Sequence, residues 1–140
     1  MKEILFFSNN KNKINEISKL FAKTQYNLKD LNSFNKVNSP IENGKSFEEN
    51  AKIKSLFGFK KFNTICFADD SGICIEAMGG RPGIKSKNFL ESGNSRKALL
   101  NKIISITVKK NNTKAFFQTS ICLSVNTEKC FFLLEKYMGK

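Results

Sequence analysis

The chain contains no histidine and no tryptophan, and only two prolines and two arginines among its 140 residues. Without histidine, any acid–base chemistry near neutral pH falls to carboxylates or lysines. The four cysteines, Cys66, Cys74, Cys122 and Cys130, include no C-x-x-C pair. With no histidine beside them, they argue against a zinc site. Each sits in an apolar, strand-like run, which reads as a set of free thiols in a reducing cytoplasm. No apolar stretch is long enough to span a membrane and the N-terminus lacks a signal-peptide pattern. The expectation is a cytoplasmic chain with no membrane partner.

Acidic residues are also scarce. Twelve Asp and Glu stand against 24 Lys and Arg, a net charge of +12, and a surplus of that size points to an anionic partner. Nucleic acid is disfavoured. Base reading favours arginine, and only Arg81 and Arg96 are present. Aromatic residues do not alternate with basic ones as a stacking platform requires. The charge therefore supports a phosphate-bearing ligand, although lysines spread among many asparagines also fit biased codon usage. With 40% hydrophobic and 26% charged residues, the composition fits one globular domain. Fourteen phenylalanines predict a Phe-rich core.

What is present reads as alternating strands and helices. Glu3–Phe7 has the content of a buried strand, and Ser8-Asn9-Asn10 follows it. A helix is expected from Lys11 to about Lys23, with Ile14, Ile17, Leu20 and Phe21 as its apolar stripe. Either Asn10 or Asn12 can cap it. A strand, a polar turn and a helix N-terminus make an anion site from free N–H groups and the positive end of the dipole. Lys13, in the first turn, opposes the dipole preference. It reads as an anion's neighbour or as a solvated surface lysine. Tyr26–Leu31 is a second strand, followed by a polar loop through Ser39-Pro40.

Ser46 with Glu49 forms a capping box that opens a helix from Phe47 to about Lys60. Phe47, Asn50, Lys54 and Phe57 share one face. If that face turns inward, Lys54 needs an anion or carboxylate to meet it. A small rotation would bury Ile53, Leu56 and Phe57 and leave Lys54 at the rim. Next, Thr64–Ala68 reads as a buried strand ending in Asp69 and Asp70. Ser71-Gly72 reads as a turn and Ile73–Glu76 as a further strand. Met78-Gly79-Gly80-Arg81-Pro82-Gly83 is a tight loop able to adopt positive φ. Ile84–Phe89 has no clear period, and Glu91–Ser95 reads as a loop capping a helix over Arg96–Ile104 with Leu99, Leu100, Ile103 and Ile104. Lys109–Lys114 is a polar connection. Ala115–Val125 and Lys129–Tyr137 read as a hairpin around Asn126-Thr127. The order predicts an α/β or α+β fold with a mixed sheet.

Four motifs stand in sequence: Ser8-Asn9-Asn10-x-x-Lys13-x-x-Glu16; Glu42-x-Gly44-x-Ser46-Phe47-x-x-Asn50-Ala51-x-x-Lys54-Ser55; Ala68-Asp69-Asp70-Ser71-Gly72; and Gly79-Gly80-x-Pro82-Gly83. Together they resemble the inosine/xanthosine triphosphate pyrophosphatase family, over essentially the whole chain. The resemblance implies a mixed, elongated sheet flanked by helices, with a nucleotide cleft between two lobes. It also implies Mg²⁺-dependent cleavage of ITP, dITP and XTP to monophosphate and pyrophosphate, usually by a homodimer. By motif position, Ser8, Asn9, Asn10, Lys11, Asn12 and Lys13 would hold the phosphates, with Lys54 pairing to them and Asn50 in the same substrate-binding set. Glu42 and Asp70 would bind metal with Asp69 close by, Asp70 would be the base acting on water, and Ser71 would touch the nucleotide. Asn9 stands where the family usually has Gly, and Ser8 where it usually has Thr. Family members continue into a Gly-Phe-Gly-Tyr-Asp-Pro-like loop and a Ser-His-Arg motif that help hold the base. The expectation is a C-terminally shortened member, with low activity and weak preference for ITP over ATP. The alternative is an inactive nucleotide-binding remnant. The Phe- and Leu-rich last strand is expected to leave an apolar surface or an unpaired edge that favours self-association.

Overall fold

The computed structural model describes residues 2–85 and 96–139. In chain order the elements are β1 (Lys2–Phe6), α1 (Lys11–Phe21), β2 (Tyr26–Asp30), α2 (Phe47–Phe62), β3 (Cys66–Ile75), β4 (Arg81–Pro82), α3 (Arg96–Lys109), β5 (Ala115–Ser124) and β6 (Cys130–Gly139). Short 3₁₀ turns occupy Leu31–Ser33, Glu76–Met78 and Gly83–Lys85. The strands form one six-stranded mixed sheet in the order β2-β1-β3-β5-β6, with β4 paired to β3. β1 lies parallel to both β2 and β3, while β4 runs antiparallel to β3. The α/β class and mixed sheet expected from the sequence are thus observed. Among the described residues, no helix is long and apolar enough to cross a membrane.

Two compact units make up the chain: Met1–Asp69 with Ile121–Leu133, and Asp70–Ser120 with Leu134–Lys140. In the first unit, β1 is buried on both faces, as a central parallel strand should be. Ile4 and Phe6 point to one face, where with Phe67 they meet Ile14, Ile17 and Phe21 of α1. Leu5 and Phe7 point to the other, where with Cys66 and Ala68 they meet Phe57, Phe59 and Phe62 of α2. The core is Phe-rich as expected. Phe67 stacks on Phe6 with centroids 4.8 Å apart and on Phe21 at 5.8 Å, and Phe7 meets Phe57 edge-on at 5.6 Å. Each such ring contributes roughly 1.5–3 kcal/mol by burial.

Both helices depart from expectation in instructive ways. Asn10, not Asn12, caps α1, accepting from the Lys13 N–H at 3.1 Å. Leu20, expected on the apolar stripe, is 71% exposed, because α1 lies on the sheet through Ile14, Ile17 and Phe21 alone. In α2 the Ser46 hydroxyl accepts from Glu49 N at 3.0 Å, but the Glu49 carboxylate accepts from Lys45 N at 2.6 Å in place of Ser46 N. The buried face of α2 comprises Phe47, Asn50, Ala51, Ser55 and Gly58. Small residues let the helix come close to the sheet; a Cβ added to Gly58 would stand 2.5 Å from Cys66 Sγ. Ser55 Oγ also bonds Ser124 Oγ at 2.8 Å. α2 ends at Asn63, which takes the left-handed conformation at φ 50° common at helix C-termini.

The turn expected at Ser71-Gly72 is absent. β3 runs unbroken from Cys66 through the Asp-Asp-Ser-Gly stretch to Ile75. Its first half pairs with β1 and its end with β4, with β5 as its other neighbour, so ladder pairing overrides the local turn preference of these residues. The chain turns later, in the second unit, at Gly79 and Gly80 (φ 69° and 83°). There the Arg81 Nε donates to Met78 O at 3.0 Å, and Glu76 is tied to the connection before β5 by Glu76 N to Lys114 O at 3.0 Å. In α3, Leu99 is buried at 4%, whereas Leu100 and Ile104, expected on the apolar face, are 55% and 57% exposed. The capping loop expected at Glu91–Ser95, and most of Ile84–Phe89, lie outside the described residues. The late hairpin forms as expected: Asn126 Oδ1 accepts from Glu128 N at 2.8 Å and Lys129 N at 2.7 Å, closing the turn between β5 and β6.

Candidate functional site

The order β2-β1-β3 places β2 and β3 on opposite sides of β1. The carboxyl end of β1 is therefore a point where the strand order reverses, the usual ligand position in open α/β sheets. Ser8 to Lys13 leave β1 there. The turn is held by its own side chains: Ser8 Oγ accepts from Asn10 N at 3.1 Å, and Leu31 N donates to Ser8 O at 3.1 Å. Asn9, Asn10, Lys11 and Asn12 are exposed. α1 opens with no acidic residue in its first turn, so no carboxylate of the helix itself meets the positive end of the dipole.

Lys13 reaches back across the turn. Its Nζ donates to Asp69 Oδ2 at 2.6 Å. Register explains the meeting. Phe67 is paired with Phe6, and Asp69, two residues further on, has the same strand parity as Phe67. It emerges on the α1 face. Its side chain is only 14% exposed, while that of Lys13 is 41% exposed. Of the two meanings open for Lys13, the structure shows the one with an acidic neighbour. A lysine that opposes the dipole is offset by a carboxylate 56 residues away in sequence.

Asp70 has the opposite parity, shared with Cys66 and Ala68. Successive residues of a strand point to opposite faces, so the adjacent carboxylates are directed apart, and Asp70 Oδ2 is buried. Ser71, next on the strand, is half-buried. The second lysine, Lys54, lies with Glu42 at 3.5 Å and is 18% exposed. The inward reading of its helix face holds, since Asn50 is buried at 3%. Asn50 Oδ1 accepts from Gly44 N at 2.8 Å, fixing the loop that carries Glu42 to the start of α2. That loop tie was not anticipated. Its signal lies in the Gly44 position, where a Cβ would stand 2.6 Å from Asn50 Oδ1.

A cavity of about 310 Å³ adjoins the turn, lined by Asn9 together with Leu31, Asn32, Phe34, Asn35, Lys36, Val37 and Ser39. Nothing in the sequence marked this loop, because its residues have no period. Among the described residues, no three Asp, Glu, Cys or His side chains gather closely enough to form a metal site of their own. The acids stand with lysines instead: Asp69 with Lys13, and Glu42 with Lys54.

The buried thiols are chemically quiet. Burial, reinforced by Cys122, pushes the Cys66 thiol up to about 12, and burial likewise raises Cys122, against a hydrogen bond from Ser55 that lowers it. All four cysteines are free. Neither thiol offers a thiolate nucleophile near neutral pH.

The class the fold defines is an α/β protein with a strand, turn and helix at the switch point of a mixed sheet. The chain matches the Ham1 family over residues 4–140, and it belongs to that family. It is 35% identical over 138 residues to a dITP/XTP pyrophosphatase of Acholeplasma laidlawii (strain PG-8A), covering 98% of this chain and 67% of the relative. It is 30% identical to the dITP/XTP pyrophosphatase of Flavobacterium psychrophilum, covering 93% and 68%. The fold is similar to that of a HAM1 protein from Coxiella burnetii, with a TM-score of 0.89 at 25% identity over 100% of this chain and 73% of that one. It is also similar to the Staphylococcus aureus Ham1 protein, with a TM-score of 0.82 at 30% identity over 99% and 71%. The chain spans about two thirds of the length of these curated relatives.

Proposed function

We propose that the chain is a nucleoside triphosphate pyrophosphatase acting on deaminated purine nucleotides (ITP, dITP and XTP) and releasing the monophosphate and pyrophosphate. The observation that carries this reading is the Lys13–Asp69 pair at 2.6 Å, set at the N-terminus of α1 beside the carboxyl end of β1. The names of the curated relatives support the same activity. The turn Ser8–Lys13 offers phosphate oxygens exposed amides, the helix N-terminus and a lysine whose present partner is an acid that a phosphate can replace. Lys54 offers a second cation on the same terms, held by Glu42. Asn50 serves the substrate through the loop it fixes, and Ser71 adds a hydroxyl on the strand that carries Asp70.

The donor chemistry suits Mg²⁺, which takes one or two carboxylates plus substrate phosphates and keeps bound water, so it does not need a three-acid cage. Glu42 and Asp70 are the proposed holders, with Asp69 nearby. Once bound, the ion supplies charge neutralisation and a more acidic water. Asp70 takes the proton from the attacking water, the role a carboxylate can fill in a chain without histidine. Lys13 and Lys54 neutralise the oxygens on which charge develops. A homodimer in the cytoplasm is proposed on the same resemblance, and the free thiols fit a reducing setting.

Product analysis with ITP, XTP and ATP tests the reading. Monophosphate with pyrophosphate is expected. Orthophosphate as the first product overturns it, and calorimetric nucleotide binding without turnover supports a non-catalytic nucleotide-binding protein in its place.

A further inference from the structure

Ser120 is fully buried on β5, and its hydroxyl has no hydrogen-bond partner. Buried polar groups are nearly always paired, so an orphan hydroxyl calls for an acceptor close by.

The pairing of β5 with β3 says which one. Glu76 N, one residue past the end of β3, donates to Lys114 O, one residue before the start of β5, at 3.0 Å. The end of β3 meets the start of β5, so the two strands run antiparallel. Counting inward from that bond sets Ile75 opposite Ala115, Asp70 opposite Ser120 and Cys66 opposite Ser124. The count closes at both ends, because β3 and β5 are each ten residues long. Two contacts of α2 agree with it. Ser55 Oγ bonds Ser124 Oγ at 2.8 Å, and Gly58, three residues on, comes up against Cys66. The alternation of side chains agrees as well. Ile121 and Leu123 pack with Phe67 on the α1 side. Ser120, Cys122 and Ser124, the buried residues of β5, therefore share the other side with Cys66, Ala68 and Asp70.

We propose that Ser120 is a positioning residue for Asp70: its hydroxyl donates to the Asp70 carboxylate and fixes the direction in which that carboxylate presents its other lone pairs. Both residues belong to the second unit. Directly opposed residues of an antiparallel pair have Cβ atoms about 4.5–5.5 Å apart. A serine hydroxyl swings between staggered positions about one bond, so the two groups lie within reach. A carboxylate offers about four acceptor sites, so this bond stands beside others that Asp70 makes. On the far side of Ser120, counting from the Val125 N to Lys129 O bond sets Leu134, whose side chain has no acceptor. Asp70 Oδ2 is itself buried, and a hydrogen bond to a charged acceptor is stronger than one between neutral groups. The catalytic consequence rests on the reading of Asp70 as the base. A carboxylate held in one orientation keeps a lone pair aimed at the water it deprotonates.

A melting cycle without added nucleotide or metal reads the contact. In the parent, Ser120→Ala takes a donor from a buried carboxylate and should lower Tm by about 3–8 °C. In an Asp70→Ala background the same change removes an unpaired hydroxyl, and Tm should stay level or rise. The Ser120 hydroxyl proton, followed by NMR in serine-labelled protein, should exchange slowly in the parent and disappear from the spectrum in Asp70→Ala. That signal is read without making any change at Ser120. Hydrolysis of ITP with Mg²⁺ reads the consequence: Ser120→Ala should lower kcat by about tenfold while KM moves by less than about twofold. An equal change of Tm in both backgrounds, a hydroxyl proton unaffected by Asp70→Ala, or a kcat unchanged by Ser120→Ala would each overturn the proposal. If the parent releases no monophosphate and pyrophosphate, the reading of Asp70 as the base fails, while the melting cycle and the proton signal still decide the contact.

Discussion

Replacing Gly58 with alanine sets two well-measured effects against each other. Helix propensity favours alanine over an interior glycine by about 1 kcal/mol. On the sequence alone, the exchange in the middle of α2 is therefore stabilising. The structure reverses the sign. The new Cβ would lie 2.5 Å from Cys66 Sγ and 2.9 Å from Phe7 Cδ2, both closer than real side-chain contacts allow. Cys66 is fully buried and Phe7 is 4% exposed, so neither has free space to move into. Overpacking a filled core costs typically about 1–3 kcal/mol, and two simultaneous clashes argue for the upper end. The net is a loss of about 1–2 kcal/mol, a fall in Tm of about 4–8 °C for a chain of this size. A double-mutant cycle with Cys66→Ala isolates the cause. Removing Sγ opens the space the new methyl needs, so the double variant should be more stable than the two single effects predict, by about 1 kcal/mol or more. Thermal unfolding of the four proteins reads the cycle. A Gly58→Ala variant with a raised Tm, or no coupling to Cys66, would refute the close approach of α2 to β3.

Stability should fall above pH 9 through the buried thiols. The Cys66 thiol rises from 9.0 to about 12 in the folded state, so its contribution is complete below pH 9 and is lost as pH climbs towards 12, at about 1.4 kcal/mol per pH unit. Cys66→Ala should flatten that part of the Tm–pH curve relative to the parent, and a parallel slope would show that the thiol contributes nothing. Asn50→Ala removes the acceptor for Gly44 N and should cost about 1–3 kcal/mol, whereas Asn50→Asp keeps the acceptor and should lose less; equal melting of the two would dismiss the tie. Asp70→Asn should abolish nucleotide hydrolysis with an intact circular dichroism spectrum, and turnover of ITP at the parental rate would show that Asp70 is not the base. Lys54→Met should weaken triphosphate binding by calorimetry more than it alters melting, and unchanged affinity would remove Lys54 from the phosphate site.

Much of this fold is legible in the sequence because periodicity carries it. β1, α1, α2 and the late hairpin all appear where apolar spacing and turn residues put them. The inward face of α2 was only half legible. Phe47 and Asn50 turn inward, but the rest of that face is Ala51, Ser55 and Gly58, not large apolar residues. Hydrophobicity ranks such residues low, whereas close helix-to-sheet packing requires them. The partner of Lys13 was not legible either. Its misfit with the helix dipole signals an anion, but only the pairing of β1 with β3 supplies Asp69.

Reading Asp69-Asp70-Ser71-Gly72 as a turn failed for a reason that bears on the site itself. In a turn, both carboxylates would share one solvated corner, and their repulsion would call for a common cation. In an unbroken strand the pleat separates them. Asp69 goes to the α1 side, where Lys13 neutralises it at 2.6 Å. Asp70 goes to the opposite side, with the parity of Cys66 and Ala68. Two adjacent acids are thereby directed to different neighbours. Asp69 fixes Lys13 at the turn after β1, and on the proposed reading Asp70 is the base. Inserting one residue between Phe67 and Asp69 would exchange the two assignments, because a slip of one position flips every side chain beyond it. Strand register at this place therefore decides which carboxylate meets which lysine, and no local feature of the four residues could have revealed it.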